Sequence, residues 1–306
     1  MSWASKLVKP YCIEDGENFR LKDFDPADTG KLKSEDEARE LLVKGIARMA
    51  ELQDKLYAQD WWALLLIIQA IDAAGKDGIV KHVMSGVNPQ GCDVSSFKTP
   101  SHEELDHDYL WRAQRRMPRR GTIGIFNRSY YEEVLVVKVH PEILKSQQLP
   151  PTLVTENIWK ERYQDMCEYE RYLSRNGIVT RKFFLHLSKK EQKKRFLARL
   201  DQPEKNWKFS AADVRERRYW DEYHNAYEEM IRHTATKRAP WYVVPADNKW
   251  FTRVIVAAAV VDALEQLDLH YPVVEGDKLK ELLEARAELL GGKESAKDKK
   301  KDKKKK

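Results

Sequence analysis

A cluster of small and charged residues follows a strongly apolar run in the segment LLLIIQAIDAAGKDG, residues 64–78. A strand, a tight loop and the start of a helix form a phosphate cradle in that order, because loop amides and the helix dipole point at an anion. Lys76 adds a full positive charge. We therefore expect catalytic roles for Asp72 and Lys76. The predicted phosphate or nucleotide contacts in the same loop are Ala73, Ala74, Gly75, Asp77 and Gly78.

The segment departs from the strict phosphate-loop pattern GxxxxGK[ST] at two of its four fixed positions. Ala70 stands at the first glycine, and Asp77 stands where the pattern has Ser or Thr. The lost hydroxyl normally binds magnesium, and the Asp72 carboxylate could replace it. We expect Mg²⁺, or Mn²⁺, at Asp72. The alternative is an ordinary strand-loop-helix turn without a ligand.

A second polar cluster, NRSYYEE, follows another apolar run. A carboxylate at such a strand end holds magnesium in phosphate-loop enzymes, and here Asn127 offers a weaker neutral oxygen. Arg128 can neutralise charge on a transferring phosphoryl group. Ser129 and Glu132 also fit a capping box. Glu132 and Glu133 would lie near the phosphates, where either could hold metal or exclude surplus anion.

Two further groups of basic residues could bind phosphate chains. A helix predicted over residues 102–117 would place Arg112, Arg115, Arg116 and Arg119 on one face, although a solvated charged face explains such a run equally well. The basic, tryptophan-bearing segment 195–220 has the composition of a mobile lid that excludes water. The predicted lid contacts are Lys205, Lys208, Arg215 and Arg217. Ser210 with Asp213 is also typical of a plain helix cap.

Apolar runs alternate with amphipathic stretches, which predicts an α/β fold with a five-stranded parallel sheet sandwiched by helices. The predicted strands are residues 63–71, 93–97, 122–126, 179–187 and 241–245. The predicted helices are residues 34–57, beginning at a Ser34–Glu37 capping box, and 76–85, 102–117, 130–140, 155–175, 189–200, 211–234 and 251–269. We predict an irregular extension over 1–33, a phosphate-loop domain over 34–272 with its lid at about 201–219, a helix over 273–292 and a disordered Lys-rich tail over 293–306.

Charge and cysteine content limit the class of protein. The 306 residues are 42% hydrophobic, enough for a large core, and carry a net charge of +6. The last ten residues contain eight Lys and two Asp, so the body is formally neutral and any polyanion site depends on local clustering. Cys12, Cys92 and Cys167 show no metal or disulfide spacing. The start of the chain lacks a signal-peptide pattern, and the longest apolar run, 61–68, is too short to cross a bilayer. We expect a cytoplasmic protein.

Several motifs in the same order resemble the polyphosphate kinase 2 family from about residue 35 to about 270. They are AIDAAGKDGIVKHVMSGVNPQG (70–91), HDYLWR (107–112), GTIGIFNRSYYEEVLVVKVHP (121–141), KNWKFS (205–210) and ERRYWDEYHNAY (216–227). The family implies a thymidylate-kinase-like phosphate-loop fold with a helical lid, and Arg112 matches its polyphosphate-site arginine. We expect further polyphosphate contacts at Lys81, Arg115, Arg116 and Lys208. Many members have Asp where this chain has Asn127. The NRSYYEE variant resembles the subgroup, often termed class III, that accepts both AMP and ADP.

The resemblance implies reversible, Mg²⁺-dependent transfer of phosphoryl groups from inorganic polyphosphate to AMP or ADP, and to GMP or GDP. Transfer would be direct and in line, without a covalent intermediate. The N-terminal helix and the aromatic segments would suit a homodimer or homotetramer, and we expect no binding to a membrane or to a specific nucleic acid. The nearest alternative is an ATP-dependent nucleoside monophosphate kinase. A second alternative is a polyphosphate- or nucleic-acid-binding protein without turnover.

Overall fold

The computed structural model describes residues 2–207 and 209–290. Within them, six strands form one sheet in the order β1-β6-β5-β2-β4-β3. The strands are β1 (Cys12–Ile13), β2 (Ala63–Gln69), β3 (Cys92–Ser96), β4 (Ile123–Asn127), β5 (Ile178–His186) and β6 (Trp241–Pro245). Strands β2 to β6 are mutually parallel, which confirms the predicted parallel sheet. The short β1 pairs antiparallel with β6 and was not predicted.

Helices follow the strands along the chain. The described α-helices are α1 (Trp3–Val8), α2 (Glu35–Gln59), α3 (Lys76–Val83), α4 (His102–Leu105), α5 (Trp111–Gln114), α6 (Val136–Val139), α7 (Ile158–Arg175), α8 (Lys189–Asp201), α9 (Pro203–Asn206), α10 (Ala211–Glu216), α11 (Trp220–Thr234), α12 (Lys249–Glu265) and α13 (Gly276–Leu289). Helices α1, α2, α3 and α12 pack together on one face of the sheet, and α7 and α11 pack together with β5 beside α7.

The central strand β2 shows why the sheet is buried on both faces. Every residue of β2 is buried, in agreement with its unbroken apolar sequence. Its neighbours β4 and β5 pair with it in register, so that Ile68 lies opposite both Asn127 and Phe183. The carboxyl ends of three parallel strands therefore meet at one edge, where ligands collect in such folds.

Several elements differ from the sequence-based predictions. The helix predicted over 211–234 is interrupted, since α10 ends at Glu216 and α11 begins at Trp220, and the helix predicted over 130–140 begins with a 3₁₀ turn over 130–134. The extension 1–33 is not uniformly irregular, since it contains α1 and β1. The single helix predicted over 102–117 is wrong, because α4 ends at Leu105 and α5 begins only at Trp111. At the start of α2, Ser34 Oγ accepts from Glu37 N at 3.2 Å, but the Glu37 carboxylate accepts from Lys33 N and not from Ser34 N, so the capping box is incomplete.

The chain divides into two compact units, the first ending at His270 and the second beginning at Tyr271. In the second unit, α13 has all of its residues exposed. The predicted tail over 293–306 lies outside the described residues. In the described part of the chain, no helix combines the length and apolar character needed to cross a membrane.

His186, at the end of β5, should make stability depend on pH. Burial, followed by the charge of the nearby His224, lowers the pKa of His186 from 6.5 to about 4. Between these two pH values His186 binds a proton in the unfolded chain but not in the folded one. The free energy of unfolding should therefore fall as the pH drops from about 6.5 to about 4. The loss from this group is at most about 3 kcal/mol.

We expect His186→Gln to weaken this dependence. Denaturant unfolding curves at several pH values would measure it, with the exposed His102→Gln as control. Parallel stability profiles for His186→Gln and the unaltered protein would contradict the assignment.

Candidate active site

The carboxyl edge of the sheet brings four separate chain segments together. The loop that contains Asp72 follows β2, Arg128 follows β4, Ser188 follows β5 and Asp247 follows β6. Ser188 donates from its backbone N and its Oγ to the Asp247 carboxylate at 2.8 and 2.7 Å. These bonds join the last two segments and hold the start of α8 against the sheet edge.

The loop after β2 has the backbone of a phosphate cradle. Ala73 and Gly75 have positive φ angles of 66° and 111°, and Gly75 is the residue before the first turn of α3. A side chain is strained at such an angle, so glycine is suited to position 75. Ala74 N donates to Ile71 O at 3.4 Å, which closes the turn. The predicted strand-loop-helix arrangement is present.

Arg195 of α8 fixes this loop from behind. Its guanidinium donates to Ala73 O at 3.1 Å and Ala74 O at 2.8 Å, and to Ala246 O at 2.6 Å and Asp247 O at 3.0 Å. Nothing in the phosphate-loop pattern predicts this residue. The sequence feature that could have identified Arg195 is its spacing, because residues 192, 195 and 199 share one face of a helix.

Gln192 lies on the same face of α8 and also reaches the loop. Its Nε2 donates to Asp72 O at 3.1 Å. Three consecutive carbonyls of the loop, from Asp72 to Ala74, are thus held by α8. These bonds fix the backbone of the loop against α8.

Lys76 is partly buried at the end of the loop. Its Nζ donates to Ala70 O at 2.8 Å. Burial lowers the pKa of Lys76, and the positive charge of Arg128 lowers it further, whereas the carboxylates of Asp72, Glu132 and Asp77 act in the opposite direction. A cation in such surroundings gains from the approach of a phosphate.

Arg128 lies beside Lys76 and pairs with two carboxylates. Its Nη2 is 3.1 Å from Asp72 Oδ1, and its Nη1 is 3.7 Å from Glu132 Oε2. Burial alone would lower the pKa of Arg128, but Glu132 and Asp72 raise it. The predicted Asp72, Lys76 and Arg128 therefore form one charged group.

Glu132 belongs to the same group, although the predicted capping box does not form. Ser129 Oγ accepts from Tyr131 N at 3.1 Å instead of from the Glu132 amide. Burial raises the pKa of Glu132, while Arg128 and Lys76 lower it. In the orientation that satisfies its partners, the Gln69 amide donates to Glu132 Oε1 at 2.7 Å and accepts from Ser129.

Glu133 points to different partners. Its carboxylate accepts from Arg162 at 2.7 Å and from Gln147 at 2.6 Å. Burial raises the pKa of Glu133, and Arg162 opposes the shift. The two adjacent glutamates therefore have separate environments, and the ion pair with Arg162 is a structural contact.

Asn127 and Asp77 lie together at the loop. Asn127 Nδ2 donates to Asp77 Oδ1 at 3.0 Å. No group of three His, Cys, Asp or Glu side chains suited to a metal occurs in the described parts, 2–207 and 209–290. Mg²⁺ commonly binds through one or two carboxylates plus substrate phosphates. The donor set around Asp72 fits that mode of binding.

The predicted arginine strip is not formed as one surface, because the helix that would carry it is broken. The Arg112 side chain is 13% exposed, donates to Lys98 O at 2.7 Å and lies over the Phe97 ring. Arg115 is exposed, stacks on Trp111 and lies 3.6 Å from Glu103. Arg116 and Lys81 are exposed as well. Polyphosphate binding by these residues stays a prediction.

The predicted lid consists of short helical segments, α9, α10 and the turn 217–219. Its basic residues do not face one space. Lys205 lines one cavity, Arg217 lines another, and Arg215 is exposed. Lys208 lies outside the described residues.

Two cavities of opposite character meet at the loop. The first, which we term the aromatic cavity, has a volume of about 380 Å³. Its ring faces come from Trp220, Tyr223 and Tyr227. Its other polar and charged lining residues include Asp72, Arg128, Glu132, His140, Glu142, Gln192, Asp213, Glu216 and Arg217. The second, the basic cavity, has a volume of about 280 Å³ and is lined by loop residues 73–75 and 78 together with Arg195, Arg199, Lys205, Lys249 and Arg253, among others. The residues of these cavities that were predicted from sequence are Asp72, Arg128, Glu132 and Arg217 in the aromatic cavity, and the loop residues and Lys205 in the basic cavity.

A smaller third cavity of about 170 Å³ adjoins the aromatic cavity and shares Arg128 and Glu132 with it. Arg112 and Glu133 line this third cavity. Arg128 therefore borders two spaces at once.

Comparison with known proteins matches residues 31–272 to the family model described as Polyphosphate kinase 2. An ADP-polyphosphate phosphotransferase of Rhodopseudomonas palustris is 50% identical over 281 residues, covering 89% of this chain and 97% of the relative. An AMP/ADP-polyphosphate phosphotransferase of Meiothermus ruber is 44% identical over 269 residues, covering 88% and 97%.

A solved structure agrees with these sequence matches. The crystal structure of Polyphosphate Kinase 2 from Arthrobacter aurescens superposes with a TM-score of 0.85 at 38% identity, over 95% of this chain and 99% of that one. The fold, the phosphate loop and the sequence matches all agree with the predicted resemblance. The chain belongs to the polyphosphate kinase 2 family.

Proposed function

We propose that this protein transfers phosphoryl groups between inorganic polyphosphate and nucleoside mono- and diphosphates. The observation that carries the proposal is the charged group of Lys76, Arg128 and Asp72 at a loop that lines both a basic cavity and an aromatic one. The activities named for the relatives from R. palustris and M. ruber support it. AMP and ADP are the proposed acceptors, with GMP and GDP as further ones.

The basic cavity suits the polyphosphate chain. Its charged lining consists of five cationic side chains, and of these Arg195 is partly neutralised by Glu191 at 3.0 Å. Burial lowers the pKa of Lys249, and Arg195 and Lys205 lower it further. A linear polyanion without a base needs positive charge and no stacking surface, which this cavity supplies.

The aromatic cavity suits the nucleoside. Trp220, Tyr223 and Tyr227 offer ring faces for a base, and such stacking contributes about 1–3 kcal/mol per base. Glu142 and Glu216 offer acceptors for ribose hydroxyl or base amino groups. These carboxylates would repel a long polyphosphate, so the two substrates would enter from opposite sides of the loop.

The chemistry requires no general base. An oxygen of the acceptor's terminal phosphate is already ionised at neutral pH. It attacks the terminal phosphorus of polyphosphate, the bridging P–O bond breaks, and the shortened polyphosphate leaves with the bonding electrons. Lys76 and Arg128 stabilise the charge on the phosphoryl group as it moves. Because one anhydride replaces another, the reaction is close to balanced and runs in either direction.

We propose that Asp72 holds Mg²⁺, or Mn²⁺, with Asn127 as a possible additional oxygen ligand. The ion would neutralise phosphate charge and help to align the two reactants. Asp72 already contacts Arg128, so its carboxylate also keeps the arginine at the reaction site.

The acceptance of both AMP and ADP, a cytoplasmic location and a homo-oligomeric state are also part of the proposal. Three free thiols suit a reducing compartment. Exposed Trp61 and Tyr172, at 62% and 59%, provide apolar surface for contact between subunits.

Lys76→Ala should lower kcat by about 100-fold or more, because removing one preorganised donor costs about 3 kcal/mol of transition-state stabilisation. The assay is ATP formation from ADP, polyphosphate and Mg²⁺, followed by nucleotide chromatography. Lys160→Ala, an exposed residue of α7, is the control. Near-normal turnover in both Lys76→Ala and Asp72→Ala would exclude this mechanism. Turnover with ATP plus AMP but none with polyphosphate would favour an ATP-dependent monophosphate kinase.

The assignment of the two cavities predicts a crossed effect on KM. Lys205→Gln with Arg253→Gln should raise KM for polyphosphate about tenfold or more and leave KM for ADP nearly unchanged, since each charge-assisted bond contributes about 1.5 kcal/mol or more. Trp220→Ala should raise KM for ADP instead. Steady-state kinetics with each substrate varied in turn would measure both KM values for each variant. The reversed pattern would exchange the two cavities.

A further inference from the structure

A lysine is completely buried in the sheet behind the active site. Lys182 lies in the middle of β5, and its side chain is 0% exposed. Its Nζ donates to Glu170 Oε2 at 2.7 Å, to Tyr131 OH at 3.0 Å and to Thr234 O at 2.7 Å. The three protons of the ammonium group therefore each have an acceptor, and the 1% exposed Glu170 of α7 supplies the opposite charge.

Glu170 continues the network to two adjacent tyrosines. Its Oε1 accepts from Tyr130 OH at 2.9 Å and from Tyr131 OH at 2.7 Å. Tyr131 OH thus donates to Glu170 and accepts from Lys182. Both tyrosines are buried, at 2% and 0% exposure. The ion pair of Lys182 and Glu170 therefore holds the chain at residues 130 and 131 through the two tyrosine hydroxyls.

These tyrosines come two and three residues after Arg128, whose backbone is strained. Arg128 has a φ of 65°, in the left-handed region that non-glycine residues rarely adopt. Its N donates to Ile68 O at 3.1 Å, which anchors the residue on the side of β2. A strained residue persists when its surroundings fix it on both sides. The other side is the segment bound to Glu170 and Lys182.

Stability alone does not account for this ion pair. Removing two charges from water is costly, and apolar residues of similar volume often stabilise a core equally well or better. Burial also lowers the pKa of Lys182, and Glu170 opposes the shift. What the pair provides beyond apolar packing is direction, because it fixes two hydroxyl groups at defined points.

We propose that Lys182 and Glu170 are positioning residues, which act through Tyr130 and Tyr131 to hold the strained backbone of Arg128 and aim its guanidinium at the phosphoryl group. The inference rests on the proposed function, in which Arg128 stabilises the moving phosphoryl group. It adds that part of the catalytic geometry is set by a buried ion pair that contacts no substrate. The same network reaches α11 at Thr234 O, the helix that carries Tyr223 and Tyr227.

The most conservative test is Tyr131→Phe, which removes one hydroxyl from the network and keeps the ring. We expect kcat for ATP formation from ADP and polyphosphate to fall about tenfold, while both KM values change less than twofold and the protein stays folded. Tyr169→Phe is the matched control, since the Tyr169 hydroxyl is buried without a partner in the described structure and its ring contacts Tyr130. Equal kcat values for both variants would overturn the proposal.

A second variant separates positioning from stability. Lys182→Met with Glu170→Leu leaves no unpaired buried charge, so we expect a folded protein whose kcat remains about tenfold low. Unaltered kcat in this folded double variant would show that the pair is structural only. If it does not fold, Tyr131→Phe decides.

Coupling to Arg128 provides the third readout. Combining Tyr131→Phe with Arg128→Lys should cost little beyond Arg128→Lys alone, because the arginine to be positioned is gone. The same tenfold loss in both backgrounds would contradict action through Arg128. Absence of polyphosphate-dependent turnover in the unaltered protein would instead refute the proposed function.

Discussion

Two cations, Lys76 and Arg128, share a partly buried space with Asp72 and Glu132 as their neighbouring carboxylates. Burial and the charge of Arg128 both make it less favourable for Lys76 to carry its proton, and both lower its pKa. A phosphate that enters this space relieves the repulsion. The fold must hold the two side chains together against that repulsion when no substrate is bound, and most of the described contacts around the site serve this purpose.

The supporting contacts are hydrogen bonds that hold the chain segments next to the two cations. Arg195 and Gln192 hold the carbonyls of the loop that carries Lys76. The segment after Arg128 is held by Tyr130 and Tyr131 on the buried Glu170. Both cationic side chains are thus anchored through backbone segments that are themselves held by hydrogen bonds. Rigid support of this kind leaves little reorganisation for the moment of reaction.

Strong local patterns predicted the parts of the fold that depend on local sequence. The apolar run of β2 and the small residues that follow it predicted a strand and a phosphate loop, and the structure contains both. Asp72, Lys76, Arg128 and Glu132 lie together because the register of β2 and β4 places their carboxyl ends side by side. The alternation of elements predicted the parallel sheet, and the structure supplies the register.

The remaining parts depend on contacts that are distant in sequence. The break between α4 and α5 lies in a stretch whose arginine spacing suggested one helix with a basic face. That face does not form, and Arg112 packs instead against Phe97 and donates to Lys98 O. The role of Arg195 depends on loop carbonyls more than 120 positions away. The strand β1 is only two residues long and exists through its pairing with β6. No local pattern specifies such partners.

The most direct test of the account is a crystal structure with ADP and a non-hydrolysable polyphosphate bound together. We expect Lys76 Nζ to leave Ala70 O and bind the terminal phosphoryl group, with Arg128 on the same group, polyphosphate in the basic cavity and adenine in the aromatic one. A structure in which both ligands bind elsewhere, while Lys76 stays on Ala70 O, would contradict it.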